Sequence, residues 1–97
     1  MTIEVEHRLT VEEAKARILQ LIDHYKEEYA DQLQELAVDW TGDKAHLRLK
    51  AKGYSTSGNL EIREGAVVLD FYVPFLLQVF AKKIRSLIED RVHQVLS

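Results

Sequence analysis

The sequence predicts an α+β domain in which two helices pack on one face of an antiparallel sheet of about five strands. Short segments that alternate apolar and polar residues predict the strands, and two longer segments with apolar spacings of three and four predict the helices. Turn residues separate the short segments and favour antiparallel pairing, in the order β-α-β-β-β-β-α. The 97 residues suffice for one modest core, so we expect residues 1–97 to form a single domain.

The first strand and the first helix carry clear local signals. Ile3-Glu4-Val5-Glu6 alternates apolar and polar residues, as a half-buried strand does. Thr10 followed by Glu13 gives the Thr-x-x-Glu pattern of a helix N-terminus. The spacing that follows predicts an amphipathic helix with one face toward a core. That apolar stripe consists of Val11, Ala14, Ile18, Leu21, Ile22, Tyr25 and Tyr29.

Two strands are predicted after this helix. Leu36 to Trp40 alternates in polarity and ends at the turn Gly42-Asp43. From Ala45 to Lys52 one set of alternate residues is apolar and the other is basic or His. This pattern is typical of an antiparallel strand with one buried face and one face in water.

Two more strands are expected before the second helix. Gly53 to Asn59 is rich in Gly, Ser and Asn and predicts a loop. Alternation resumes over Leu60 to Arg63, and Glu64-Gly65 predicts a tight hairpin. Val67, Leu69, Phe71 and Val73 then form the apolar face of the last strand.

The last helix is predicted to run from about Phe75 to the C-terminus, after Pro74 ends the strand. Residues placed at 100° intervals define one apolar arc that we expect to face the core. This arc contains Leu77, Phe80, Ala81, Ile84, Leu87, Ile88 and Val95. Phe75 and Val79 fall outside the arc, and Leu76 lies at its margin.

Composition and charge narrow the range of functions. There is no cysteine, which excludes disulfides and thiolate metal sites. No signal-peptide pattern and no apolar stretch of about 20 residues is present, so we expect a cytoplasmic protein. Residues 1–43 hold four Lys and Arg against eleven carboxylates, and residues 44–97 hold nine against five. This asymmetry can indicate an anionic partner, but mixing of the two halves in the fold is the favoured interpretation.

No catalytic constellation is present, so we expect neither an enzyme nor a cofactor. The serines do not occur in a nucleophile motif, and no Gly-rich phosphate loop exists. His24, Glu27 and Glu28 share one helix face, but a solvated face is favoured over a metal site. We therefore predict no catalytic, cofactor-binding or metal-binding residues.

A basic stripe of Arg48, Lys50 and Lys52 lies on one strand, with Tyr54 as its aromatic neighbour. RNA-binding sheets place several stacked aromatic residues beside such cations. The chain has a pI of about 5.8, whereas nucleic-acid-binding domains are more often strongly basic. A solvated sheet face is favoured, and nucleic acid is not expected as a partner.

The ten residues from Phe71 to Phe80 contain one polar side chain, Gln78. A chain of this length can bury part of such a cluster, and we expect the remainder to form a binding surface. The candidate surface comprises Phe75, Leu76, Val79, Lys82 and Lys83. Such a surface suits a lipid or polymer surface, a protein partner or a twofold homodimer. The alternative is that the strand-to-helix corner buries the whole cluster.

The chain resembles the polyhydroxyalkanoic acid system protein family, small bacterial proteins encoded near polyester-granule genes. The resemblance covers nearly the whole length and rests on several short motifs. These are residues 3–9, residues 13–17, Trp40 with Gly42-Asp43, residues 58–62, residues 75–77 and Lys83-Ile84. The resemblance implies a non-catalytic accessory role in storage-polymer metabolism or granule association, and it carries no catalytic residues.

An alternative function is a small carrier that binds an apolar ligand between the C-terminal helix and the sheet. A long helix across a curved antiparallel sheet looks like a reduced helix-grip fold, in which such ligands are held. A carrier of this kind needs a cavity of roughly 300 Å³ between the helix and the sheet.

Overall fold

The computed structural model describes residues 1–97 and contains one five-stranded antiparallel sheet with two α-helices. The elements are β1 (Thr2–Glu6), α1 (Val11–Glu28), β2 (Leu33–Thr41), β3 (Lys44–Ala51), β4 (Tyr54–Arg63), β5 (Ala66–Phe71), a 3₁₀-helix (Phe75–Phe80) and α2 (Ala81–Leu96). The strand order in the sheet is β1-β5-β4-β3-β2, and both helices lie on one face. The predicted fold class and element order are confirmed.

Helix α1 begins where the sequence predicts. The hydroxyl of Thr10 accepts a hydrogen bond from the Glu13 backbone N–H at 3.1 Å and donates one to the Glu13 carboxylate at 3.1 Å. This cap satisfies one of the N–H groups that a helix leaves unpaired at its start. Ala14 and Ile18, on the predicted stripe, are buried against the sheet.

The core lies between the two helices and the part of the sheet formed by β1, β5 and β4. Ile3 of β1 and Val67 of β5 are completely buried at its centre. The other members of the buried cluster are Val5, Ala14, Ile18, Ala45, Leu60, Ile62, Val92 and Leu96. The contacts of α2 are made mainly with β1, the edge strand, and with α1.

The predicted loop from Gly53 to Asn59 is wrong. Strand β4 begins at Tyr54, and the turn consists of Lys52 and Gly53, both with positive φ (51° and 82°). The Ser- and Thr-rich residues pair with β3 along their whole length, and from Gly58 onward they also pair with β5. Pairing to neighbouring strands thus overrides the weak strand preference of these residues.

The predicted apolar arc of the last helix is wrong in part. The chain first forms the 3₁₀-helix, and α2 begins only at Ala81. Phe80 and Leu87, assigned to the core, are 54% and 56% exposed, whereas Val92 and Leu96 are buried. The reason is that α2 packs toward the edge strand β1, which turns its Val92 side inward.

Of the four glycines, only Gly58 has no room for a side chain. A Cβ atom at this position would lie 2.5 Å from the Phe71 Cβ and 2.6 Å from the Asp70 carbonyl oxygen. We predict that Gly58→Ala lowers the free energy of unfolding by about 1–3 kcal/mol through overpacking, as measured by urea denaturation. Ser57→Ala, at the exposed neighbouring position, is the control and should change it by less than about 0.5 kcal/mol. Equal stability of the two variants would contradict this packing.

Candidate surface-binding site

The end of β5 is held by hydrogen bonds on both sides. On the β1 side, the Phe71 N–H donates to the Met1 carbonyl at 2.9 Å, and the Met1 amino group donates to the Phe71 carbonyl at 2.7 Å. On the β4 side, the Tyr72 N–H donates to the Ser57 carbonyl at 3.1 Å, and the Thr56 hydroxyl donates to the Tyr72 carbonyl. The chain therefore leaves the sheet at a fixed point and in a fixed direction.

Beyond this point the backbone turns at Pro74. Val73 is still buried, at 9% exposure, and Pro74 is half-buried in an extended conformation (φ −53°, ψ 143°). The Leu77 N–H donates to the Pro74 carbonyl at 2.8 Å and closes the first turn of the 3₁₀-helix. None of the six residues of this helix is buried.

Four apolar side chains stand on the surface of this segment, which we call the corner patch. Phe75 is 78% exposed, Leu76 69%, Val79 83% and Phe80 54%. The structure thus brings the sequence-predicted residues Phe75, Leu76 and Val79 together in one exposed segment. Phe80 belongs to the same segment although the sequence analysis assigned it to the core. Contiguous exposed apolar groups of this kind are typical of interaction surfaces.

The remaining candidate residues, Lys82 and Lys83, lie in the first turn of α2 beside the corner patch. Both are exposed, and neither takes part in any of the six ion pairs within 4.0 Å. By contrast, Arg85 in the same turn contacts Glu89 at 3.4 Å and donates to the Thr2 carbonyl at 2.9 Å. The two lysines therefore add uncompensated positive charge to one end of the patch.

An open apolar groove of about 290 Å³ lies next to the corner patch, between α2 and the sheet. Its lining comprises Leu36, Leu47, Leu49, Thr56, Ser57, Gly58, Leu69, Phe71, Tyr72, Val73, Pro74, Leu77, Ile84 and Ile88. The surface that these residues expose to the groove is apolar. Its volume is close to the roughly 300 Å³ that a carrier needs, but the space is a groove and not an enclosed cavity.

The groove lies between the C-terminal helix and the sheet, where the carrier alternative expects a ligand, but no sequence pattern identified its lining residues. It exists because α2 packs toward β1, so the apolar faces of β2 and β3 extend beyond the cover of the helix. The sequence signal that could have located the groove is the apolar set Leu36, Leu47 and Leu49. These residues give β2 and β3 more apolar surface than the helix covers.

The other candidate groups are engaged in ordinary surface interactions. Within the basic stripe, Arg48 lies 3.9 Å from Glu35 and 3.8 Å from Asp39, whereas Lys50 and Lys52 are not ion-paired. On α1, the Nε2 atom of His24 lies 2.9 Å from a Glu28 carboxylate oxygen.

The outer sheet face also contains a carboxylate with a shifted pKa. A side-chain hydrogen bond from Arg63 lowers the pKa of Glu61, and the nearby charge of Lys44 acts in the same direction. No three His, Asp or Glu side chains are grouped so that they could hold a metal ion. No helix is long and apolar enough to cross a membrane.

The fold and the site define a small α+β domain with an exposed apolar corner. Within that class, the chain belongs to the family described as "Putative polyhydroxyalkanoic acid system protein", whose model matches residues 1–96. No protein with a curated description matches the chain. The crystal structure of TTHA0849 from Thermus thermophilus shows 15% identity and a TM-score of 0.33, over 99% of this chain and 90% of that one.

The boundary between core and surface at the corner can be tested with two valines. We predict that Val73→Ala lowers the free energy of unfolding by about 2 kcal/mol, because it removes buried methyl groups. Val79→Ala should change it by less than about 0.5 kcal/mol, because Val79 is exposed. Urea denaturation of both variants measures the difference. A larger loss from Val79→Ala would place the boundary elsewhere.

Proposed function

We propose that this protein is a non-catalytic accessory protein of polyhydroxyalkanoate storage-polymer metabolism that associates with the hydrophobic surface of the granule. The observation that carries the proposal is the exposure of Phe75, Leu76, Val79 and Phe80, at 54–83%, in one continuous segment. Family membership supplies the polymer context. The corner patch makes the contact, and Lys82 and Lys83 flank it.

The size of the patch supports reversible association. Complete burial of a large apolar side chain contributes about 1.5–3 kcal/mol, and a side chain laid on a surface gains roughly half of that. The four residues would then contribute about 3–6 kcal/mol, a range that includes the binding of one myristoyl chain to a membrane. Each lysine adds up to about 1 kcal/mol where the surface carries anionic lipid. We therefore expect exchange between granule and solution.

The same side chains would be covered if the partner were a granule-bound protein or a second copy of this chain. The two exposed lysines favour a lipid-coated or otherwise anionic surface, because they bring positive charge to the rim of an apolar contact. The experiment below uses granules with and without their native proteins to separate these occupants.

The carrier function stays as the alternative, and the apolar groove favours it. Small-molecule sites in proteins are concave and mostly apolar, as this groove is. The carrier function and the granule proposal involve different residues, since Phe75, Leu76 and Val79 do not line the groove.

We predict that Phe75→Ser/Val79→Ser abolishes co-sedimentation with purified polyhydroxyalkanoate granules while leaving the fold intact. The loss follows because the two most exposed apolar side chains of the patch are removed. The melting temperature should change by less than about 4 °C, since exposed substitutions cost less than about 0.5 kcal/mol. The measurement is the pelleted fraction of purified protein at increasing granule concentration.

The matched control is Leu19→Ser/Tyr54→Ser, which removes two exposed apolar side chains from α1 and β4. This control should sediment like the wild type. Equal sedimentation of the corner variant and the wild type would refute the surface assignment. Binding only to granules that retain their native proteins would instead identify a protein partner and refute direct association.

A further inference from the structure

We propose that the apolar groove binds the hydrocarbon chain of a medium-chain alkanoate, with the carboxylate of the ligand beside Lys83. Three observations lead to this ligand class: the apolar lining of the groove, its volume of about 290 Å³, and the presence of Lys83, which has no ion-pair partner, directly before Ile84 of the lining.

The lining selects a hydrocarbon. The groove exposes only apolar surface, even though Thr56 and Ser57 contribute to its wall. The Thr56 hydroxyl already donates its one hydrogen to the Tyr72 carbonyl and has no donor left for a ligand. Sugars, nucleotides and other polar ligands would lose hydrogen bonds to water in such a site without replacement. An aliphatic chain loses none.

The volume limits the length of the chain. A cavity of about 150 Å³ holds one benzene molecule, with six carbon atoms. A groove of about 290 Å³ therefore accommodates roughly ten carbon atoms. This length corresponds to a medium-chain alkanoate such as decanoate. Butanoate would fill only part of the groove.

Lys83 lies on the open side of α2. Ile84 lines the groove, and residues 83 and 85 project about 100° to either side of it. Arg85 points to the edge strand, because it donates to the Thr2 carbonyl. Lys83 therefore lies on the side away from β1, where Leu87 and Phe80 are exposed one turn away. An anionic ligand head at this edge of the groove would meet the ammonium group of Lys83.

The groove and the corner patch can be tested separately because their exposed apolar residues differ. The inference rests on the proposed function in one respect: the family context makes a hydroxyalkanoate one source of the ligand. A free fatty acid has the same chain and the same carboxylate. The ligand arms therefore compare decanoate with 3-hydroxydecanoate.

The test is isothermal titration of the full-length protein with decanoate below its micelle-forming concentration. We expect one decanoate per chain, and butanoate at least about a hundredfold weaker because it lacks six methylene groups. Leu36→Phe and Leu47→Phe each place a larger side chain in the groove and should weaken decanoate about tenfold. Amide chemical shifts of the wild type provide a second measurement, and the changes should centre on Gly58 and Ile84.

The role of Lys83 has its own control. Lys83→Gln should weaken decanoate about fivefold, the effect of one exposed ion pair, and should leave methyl decanoate unchanged. Lys50→Gln removes an unpaired lysine from the opposite face of the sheet and should alter neither ligand. Phe75→Ser/Val79→Ser should bind decanoate like the wild type, even if its granule binding is lost.

Several results would overturn the inference. These are the absence of decanoate binding to the wild type, undiminished binding to both groove-filling variants, or shift changes confined to the corner patch. A dimer in sedimentation equilibrium that either groove-filling variant converts to a monomer would also overturn it. A preference for 3-hydroxydecanoate over decanoate would support a polyester-derived ligand, and equal affinity would support any medium-chain alkanoate.

Discussion

The hydrogen bonds that hold the end of β5 determine where the corner patch lies. Phe71 is paired with Met1 on one side, and Tyr72 is paired with β4 on the other. The corner cannot fold back over the core without breaking about four such bonds, each with a net value near 1 kcal/mol. Pro74 then fixes the backbone direction. The apolar segment that follows is therefore held outside the fold by the sheet itself.

The small interior also leaves apolar side chains uncovered, in this case on the sheet. Only 14 of 97 residues are buried, and the open apolar groove shows that the helices leave part of the inner sheet face uncovered. Helix α2 is tied to the edge strand by Arg85, and Arg17 of α1 donates to the carbonyls of Val95 and Ser97 at 3.1 and 2.9 Å. These ties set the position of α2, and the inner faces of β2 and β3 become the floor of the groove. The groove thus results from the position of α2, whereas the corner patch results from the hydrogen bonds at the end of β5.

The parts of the fold that depend on local signals could be predicted from the sequence. The Thr10 cap, the stripe of α1 and the alternation of β3 each require only residues within one element. The β4 residues before Leu60 could not be recognised as a strand, because their conformation depends on pairing to β3 and β5. The buried side of α2 could not be predicted either, since it depends on where the helix packs. Phe80 and Leu87 were assigned to the core for that reason.

The candidate site also has one part that local sequence signals predict and one part that depends on tertiary packing. The unusual density of apolar residues from Phe71 to Phe80 was visible in the sequence, and it located the corner patch. A ligand site between the C-terminal helix and the sheet was expected by analogy of fold, but its lining could not be predicted, because the walls come from four strands and a helix whose relative positions no local pattern specifies. Tertiary arrangement determines which apolar residues remain uncovered.

Hydroxyl-radical footprinting of the protein, free and bound to purified granules, tests the central claim most directly. If the corner stands outside the fold and makes the contact, Phe75 and Leu76 are labelled strongly in the free monomer. They then become protected on the granule, while Leu19 and Tyr54 do not change. Weak labelling of Phe75 in the free monomer, or equal labelling in both states, would contradict the account.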